Sequence, residues 1–156
     1  ERFGRLDILV GNAASLGVLS PIGHIEPDAW DETFAINVTA NYRLIRNFDP
    51  LLRQSKAGRA IFVTSAATTN LFPYWGLYSM TKAALDAIVR TYAHEVANTN
   101  VCANLIDPGI MQTSMRAEAM PGENPTSLRH PDEVTEVFVE LATPNCQRNG
   151  DTIRAY

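Results

Sequence analysis

Two kinds of segment alternate along the chain. Short, continuously apolar runs occur at Leu6 to Val10, Arg59 to Ser65 and Val101 to Ile106. The first ends at Gly11-Asn12-Ala13-Ala14 and the third at Asp107-Pro108-Gly109. Such runs, apolar on both faces and stopped by turn formers, read as strands of a parallel sheet covered on both sides. Between them lie stretches of helical period. From Pro27 onward Trp30, Phe34, Asn37, Asn41, Ile45, Phe48 and Leu52 recur every three or four residues. Asp28, Asp31 and Glu32 sit at the amino end, where the helix dipole favours carboxylates, and Pro50 is expected to bend the helix. A second long helix is expected from about Trp75 to Ala97. A third starts at Pro131-Asp132-Glu133 and lines up Val134, Val137, Phe138 and Leu141, and Gly150 to Tyr156 begins a last strand. Strand and helix in alternation predict one doubly wound α/β domain with right-handed crossovers.

Composition narrows the partners. A chain of 156 residues, 46% hydrophobic and 19% charged, suits a single core. Its formal charge of -4 contains no long block of one sign, so neither nucleic acid nor an anionic membrane surface is expected, and a small molecule is. With no apolar run of membrane-spanning length and no signal sequence, a cytoplasmic location is expected, although a missing beginning could hide an address. Cys102 and Cys146 lack companions at metal-ligand spacing and read as reduced thiols. His24, His94 and His130 likewise lack mutual ligand spacing, so no metal is expected. None of the nine glycines forms the G-x-G-x-x-G turn that seats a pyrophosphate at a helix amino end.

The candidate chemistry lies on the second long helix. At 100 degrees per residue, Tyr78, Lys82, Leu85, Val89, Tyr92 and Val96 fall within about 40 degrees of one line. Lys82 is therefore on the core-facing stripe, where a lysine either snorkels outward or has a partner. The i, i+4 spacing stacks it one turn from Tyr78, and a nearby ammonium is expected to lower a phenol's pKa. Such a phenol would exchange protons in the way carbonyl reduction requires. Ser65 ends the preceding strand, where sheets of this kind bind ligands; its hydroxyl either holds a substrate oxygen or caps the turn. Asn37, on the apolar stripe of the first helix, must find hydrogen-bond partners, and taken alone it fits a structural bond between helices. Met111, Met115 and Met120, with Phe72, Tyr74 and Trp75, either line an apolar pocket or pack a loop.

Ser65 and Tyr78-Ser79-Met80-Thr81-Lys82, preceded by Asn12-Ala13-Ala14 and Asn37 and followed by Pro108-Gly109-Ile110-Met111-Gln112-Thr113, resemble the short-chain dehydrogenase/reductase family. The resemblance implies a Rossmann-like fold and an NAD- or NADP-dependent oxidoreductase moving hydride to or from a carbonyl or alcohol. It gives Tyr78 the role of general acid or base and Ser65 that of orienting the carbonyl. Lys82 would lower the tyrosine pKa and bind the nicotinamide ribose, and the Asn37 backbone carbonyl would hold a water against Lys82. Asn12, Pro108, Gly109, Met111 and Thr113 would surround the cofactor, Met115 to Pro125 would form a short lid, and a homodimer or homotetramer is implied. The turn departs from the family's N-N-A-G by reading Gly11-Asn12-Ala13-Ala14.

The family's first three strands and glycine-rich segment have no counterpart here, so residues 1–156 are expected to be an incomplete domain, inactive alone, with an unpaired apolar edge at Leu6 to Val10. Two other classes compete. One is a non-catalytic dinucleotide sensor or structural subunit on the same fold. The other is an acylating hydrolase, because Ser79-Met80-Thr81-Lys82 fits S-x-x-K; no S-D-N or K-T-G follows, and Ser79 points about 100 degrees off the stripe.

Overall fold

A computed structural model describes residues 2–156. Four strands, β1 Ile8–Gly11, β2 Gly58–Val63, β3 Val101–Asp107 and β4 Thr152–Arg154, form one sheet in that order. Every pair is parallel, with Leu9 opposite Ala60 and Phe62 opposite Leu105. The α/β class and the Rossmann-like layering match the expectation, and the observed strands shift the expected ends by only a few residues.

Alternate strand residues feed two cores. Leu9, Ala60, Phe62, Val101, Ala103 and Leu105 face one side. There they meet Leu44, Ile45, Phe48 and Leu52 of α2 (Ala40–Arg53), and Leu85, Val89, Tyr92 and Val96 of α4 (Gly76–Glu95). Ile61 and Ile106 face the other side, against Val137, Phe138 and Leu141 of α6 (Thr135–Ala142). Residues between the strands thus cover both faces, which is what continuously apolar runs require.

Three features depart from the pattern read in sequence. The long first helix is three segments: α1 Pro27–Phe34, a π-turn Ala35–Thr39, and α2. The irregularity falls at Asn37, while Pro50 lies within the continuous α2. The second departure is topological. The steps from β1 to β2, from β2 to β3 and from β3 to β4 all go the same way across the sheet. The first two connecting helices nevertheless lie on one face and α6 on the other, so the last crossover has the opposite hand to the first two. The right-handed preference belongs to compact crossovers. Here residues 108 to 134 hold only α5 (Ser114–Ala119) and single turns, which gives the chain room to pass to the other face. Third, α6 is entered through a 3-10 turn, Pro131–Val134, boxed by His130 and Glu133: the His130 ring accepts from the Asp132 N–H, and the His130 N–H donates to Glu133 Oε1 at 2.8 Å.

Two polar fixtures fasten the layers. Tyr92 of α4 donates to Asp49 of α2 at 2.7 Å, and Asp49 also receives Arg53. Arg59, 3% exposed, donates to the carbonyls of Gly58 and Pro144 at 2.8 Å and of Thr143 and Cys146 at 3.1 Å. One buried guanidinium thereby ties the loop before β4 to the sheet. Among the described residues β1 pairs with β2 alone, and Ile8 and Val10, on the face away from α2, are 46% and 45% exposed.

Leu85 is fully buried between α4 and the sheet. Leu85→Ala should lower the unfolding free energy by about 2 to 5 kcal/mol in urea titrations, while Val139→Ser on the exposed face of α6 should change it by less than about 0.5 kcal/mol.

Candidate active site

A cavity of about 460 Å³ opens at the carboxyl ends of β1, β2 and β3. Each strand contributes the turn that follows it: Asn12 to Ala14 after β1, Val63 to Ser65 at the end of β2, and Pro108 to Met111 with Thr113 after β3. Tyr78 and Lys82 enter from α4, and Met115, Arg116 and Ala119 of α5 close the side, with Trp75 beside them. The convergence follows from parallel strands, whose carboxyl ends all lie at one edge of the sheet. Two glycines shape it. Gly11 has no room for a side chain, which would run into the Phe62 ring and the Asn41 amide. Gly109 turns the chain with φ +77, the left-handed region that glycine enters without a Cβ penalty.

Lys82 is 2% exposed, and its Nζ donates to the Val63 carbonyl at 2.8 Å. An ammonium has three protons, so two more donors remain on the side lined by the cavity. Burial pulls its pKa down to about 8, against the opposing pull of the Asp86 carboxylate. Tyr78 is 8% exposed, one turn earlier. Its pKa lies above that of an ordinary phenol, mainly because burial disfavours the phenolate, with the Ser65 hydroxyl acting downward and the Asp107 carboxylate upward. This corrects the expectation that Lys82 lowers the Tyr78 pKa. The ammonium is 5.9 Å from the centre of the Tyr78 ring and spends a proton on Val63, and it is not among the groups that set the Tyr78 shift, in which desolvation is the largest.

Ser65 caps its turn and also lines the cavity. Its Oγ accepts the Ala67 N–H at 3.2 Å, opening the one-turn α3 (Ala67–Asn70), while the hydroxyl lines the cavity close enough to Tyr78 to influence it. Asn37 is wholly buried outside the cavity. Its Oδ1 accepts the Ser15 N–H at 2.8 Å, and its Nδ2 donates to the Ser15 carbonyl at 2.8 Å and to Thr81 Oγ1 at 2.9 Å. The side chain therefore clamps the loop after β1 to α4, the structural bond read from its place on the stripe. Its backbone carbonyl, in the π-turn, accepts Asn41 Nδ2 at 2.8 Å.

Of the other residues singled out, Asn12, Pro108, Gly109, Met111 and Thr113 line the cavity. Thr113 also caps α5, accepting the Arg116 N–H at 3.1 Å. Met115 and Trp75 pack around Leu16, Ala67 and Tyr78, whereas Phe72 and Tyr74 are 54% and 60% exposed and do not face the cavity, and neither does Met120. Within Met115 to Pro125, Arg116 makes a bidentate pair with Glu123 at 2.6 and 2.8 Å. Ser79 Oγ is buried with no hydrogen-bond partner and does not line the cavity, so the S-x-x-K reading has neither a base nor access. The sequence reading overlooked Asp86, although it follows Lys82 by four residues on the same stripe. It also overlooked Asp107, buried at the end of β3 and bonded to the Gly109 N–H at 3.1 Å. Among the described residues no helix is long and apolar enough to cross a membrane.

Residues 1–124 match the family model described as short chain dehydrogenase. An uncharacterized oxidoreductase of Escherichia coli K12, YciK, is 31% identical over 94% of the chain and 58% of its own length. An uncharacterized NAD-dependent oxidoreductase of Mycobacterium tuberculosis CDC 1551 is 31% identical over 91% of the chain and 58% of its own length. A solved structure from Escherichia coli CFT073, described as a short chain dehydrogenase complexed with NADPH, superposes with a TM-score of 0.93 at 30% identity, covering 98% of this chain and 64% of that one. The chain thus spans less than two thirds of the length of each of these relatives.

Asn37→Ala would leave both backbone groups of Ser15 without their partner. It should cost about 2 to 3 kcal/mol in thermal or urea unfolding, while Asn37→Asp, which keeps the acceptor but loses the donor, should cost less than the alanine variant only at low pH, where the carboxyl is protonated.

Proposed function

The chain belongs to the short-chain dehydrogenase family, and on that premise we propose that it carries the catalytic half of an NAD- or NADP-dependent oxidoreductase acting on a carbonyl or alcohol. The observation that carries the reading is the meeting of Ser65, Tyr78 and Lys82 around one cavity at the strand ends. When bound, the nicotinamide supplies or accepts the hydride. Everything else is work for this chain's own residues. In reduction, Tyr78 gives its hydroxyl proton to the substrate oxygen as negative charge develops there, and Ser65 holds that oxygen in place. Lys82 would offer its two remaining protons to the ribose hydroxyls and so hold the cofactor beside Tyr78.

The residues present fit such a cofactor. The turns after β1 and β3 line the cavity with Asn12 and with Pro108-Gly109, Met111 and Thr113, which would enclose the nicotinamide, while the buried ammonium provides hydrogen-bond donors. The Asn37 carbonyl, with one lone pair taken by Asn41, has a second for a water leading toward Lys82. Trp75, Met111, Met115 and Ala119 form the apolar wall, and Glu123 neutralises Arg116, which favours an uncharged carbonyl compound with apolar substituents. Assembly as a homodimer or homotetramer and a cytoplasmic location complete the proposal.

Tyr78→Phe should abolish turnover in the full-length protein, by at least about a hundredfold, while leaving NADH or NADPH binding nearly intact; Lys82→Ala should weaken both. Normal kcat in Tyr78→Phe rejects the assignment. Cofactor binding without turnover across a broad panel of carbonyl compounds identifies instead a dinucleotide sensor.

Burial favours the neutral phenol, so Tyr78 remains a proton donor through neutral pH. Reductive kcat/KM should be level from about pH 6 to 7 and fall first as Lys82 loses its charge near pH 8 and again as pH rises through the Tyr78 pKa, where the oxidative kcat, which needs the phenolate, should rise.

A further inference from the structure

We propose that Asp86 is a positioning residue of this site: braced against β2 by Thr64, its carboxylate keeps the buried Lys82 positively charged. Lys82 and Asp86 lie one helical turn apart on α4, Lys82 buried and Asp86 half-buried, the spacing at which opposite charges on a helix support one another. They are tied to consecutive residues, the last of β2 and the one that follows it. Lys82 Nζ donates to the Val63 carbonyl at 2.8 Å, and Thr64 Oγ1 donates to Asp86 Oδ1 at 2.5 Å. The helix is docked to the end of β2 at two points, one positive and one negative.

The need for such a partner comes from Lys82 itself. A lysine only 2% exposed is stable in charged form only with compensation, and one backbone carbonyl is modest compensation. The groups facing the pair are few. On α4 itself Tyr78 precedes Lys82 and Arg90 follows Asp86; from β2 comes the Thr64 hydroxyl, and from β3 the Asp107 carboxylate, which acts on Asp86 and Tyr78. Asp86 is the carboxylate that raises the Lys82 pKa against burial. The consequence for chemistry rests on the proposed role of Lys82; the charge coupling itself does not.

A purely structural Asp86 would do no more than accept the Thr64 proton. Asp86→Asn retains that acceptor and removes the charge, so it separates the two roles. The sequence contains two lysines, Lys56 and Lys82. In the full-length protein, lysine labelled with carbon-13 gives side-chain signals for NMR titration without any turnover assay, and the signal lost in Lys82→Arg is that of Lys82. Asp86→Asn should lower the Lys82 midpoint by about one pH unit. In the protein with Asp86 intact, the Lys82 signal should show a second, acidic inflection as Asp86 takes up its proton. That inflection should persist in Asp107→Asn and vanish in Asp86→Asn. A Lys82 midpoint unmoved by Asp86→Asn overturns the proposal. So does the absence of an acidic inflection in the protein that keeps Asp86, or its loss in Asp107→Asn, whether or not the Asp86 variant folds. Failure of turnover with the coupling intact would reject the oxidoreductase reading alone.

Discussion

A positive charge without water is the constraint around which this structure is arranged. The Lys82 ammonium is held out of solvent by α4 and the end of β2, and it donates to a single backbone carbonyl. An uncompensated buried ion is far more costly than a neutral polar group, so such a lysine persists only where its surroundings favour the charge. Val63, Asp86 and the π-face of Tyr78 provide those surroundings. The same burial holds the Tyr78 phenol protonated. One act of desolvation therefore leaves the lysine easier to deprotonate and keeps the tyrosine a neutral phenol at neutral pH.

The scaffold keeps these groups in register by indirect means. Neither Asn37 nor Thr81 faces the cavity, yet their hydrogen bond joins the π-turn to α4 just before Lys82. Through Ser15 the same asparagine fixes the loop after β1, which forms one wall of the cavity. At the far end of the sheet, Arg59 secures the return of the chain to β4. Packing alone would allow α4 to slide along β2; directional bonds to Val63 and Thr64 remove that freedom.

Much of the fold was legible because strands buried on both faces and amphipathic helices have distinct periods. Four strands and the long helices fell where apolar spacing put them. What stayed hidden was set by contacts between distant segments. The π-turn at Asn37 has no signature in spacing, and the passage of α6 to the opposite face depends on a long irregular connection rather than on local preference. At the site, the i, i+4 pairing of Tyr78 and Lys82 was readable, and the resemblance brought in the residues of three separate turns. The direction of the Tyr78 shift was not readable. One helical turn is close enough for an ammonium to act on a phenol, but where its protons go depends on Val63, up to about 65 Å of extended chain away and adjacent only after folding. Asp86 was missed for the opposite reason: its spacing was visible, but a carboxylate on a long helix most often faces water.

The central claim is that Ser65 and Tyr78 act on one oxygen beside the buried ammonium. A crystal structure of the full-length protein with NADH or NADPH and an unreactive carbonyl analogue tests it most directly. The account predicts the analogue's oxygen within hydrogen-bonding distance of both the Ser65 and Tyr78 hydroxyls, with Lys82 on the ribose. An analogue oxygen directed away from both hydroxyls, or a cofactor bound outside this cavity, would contradict it.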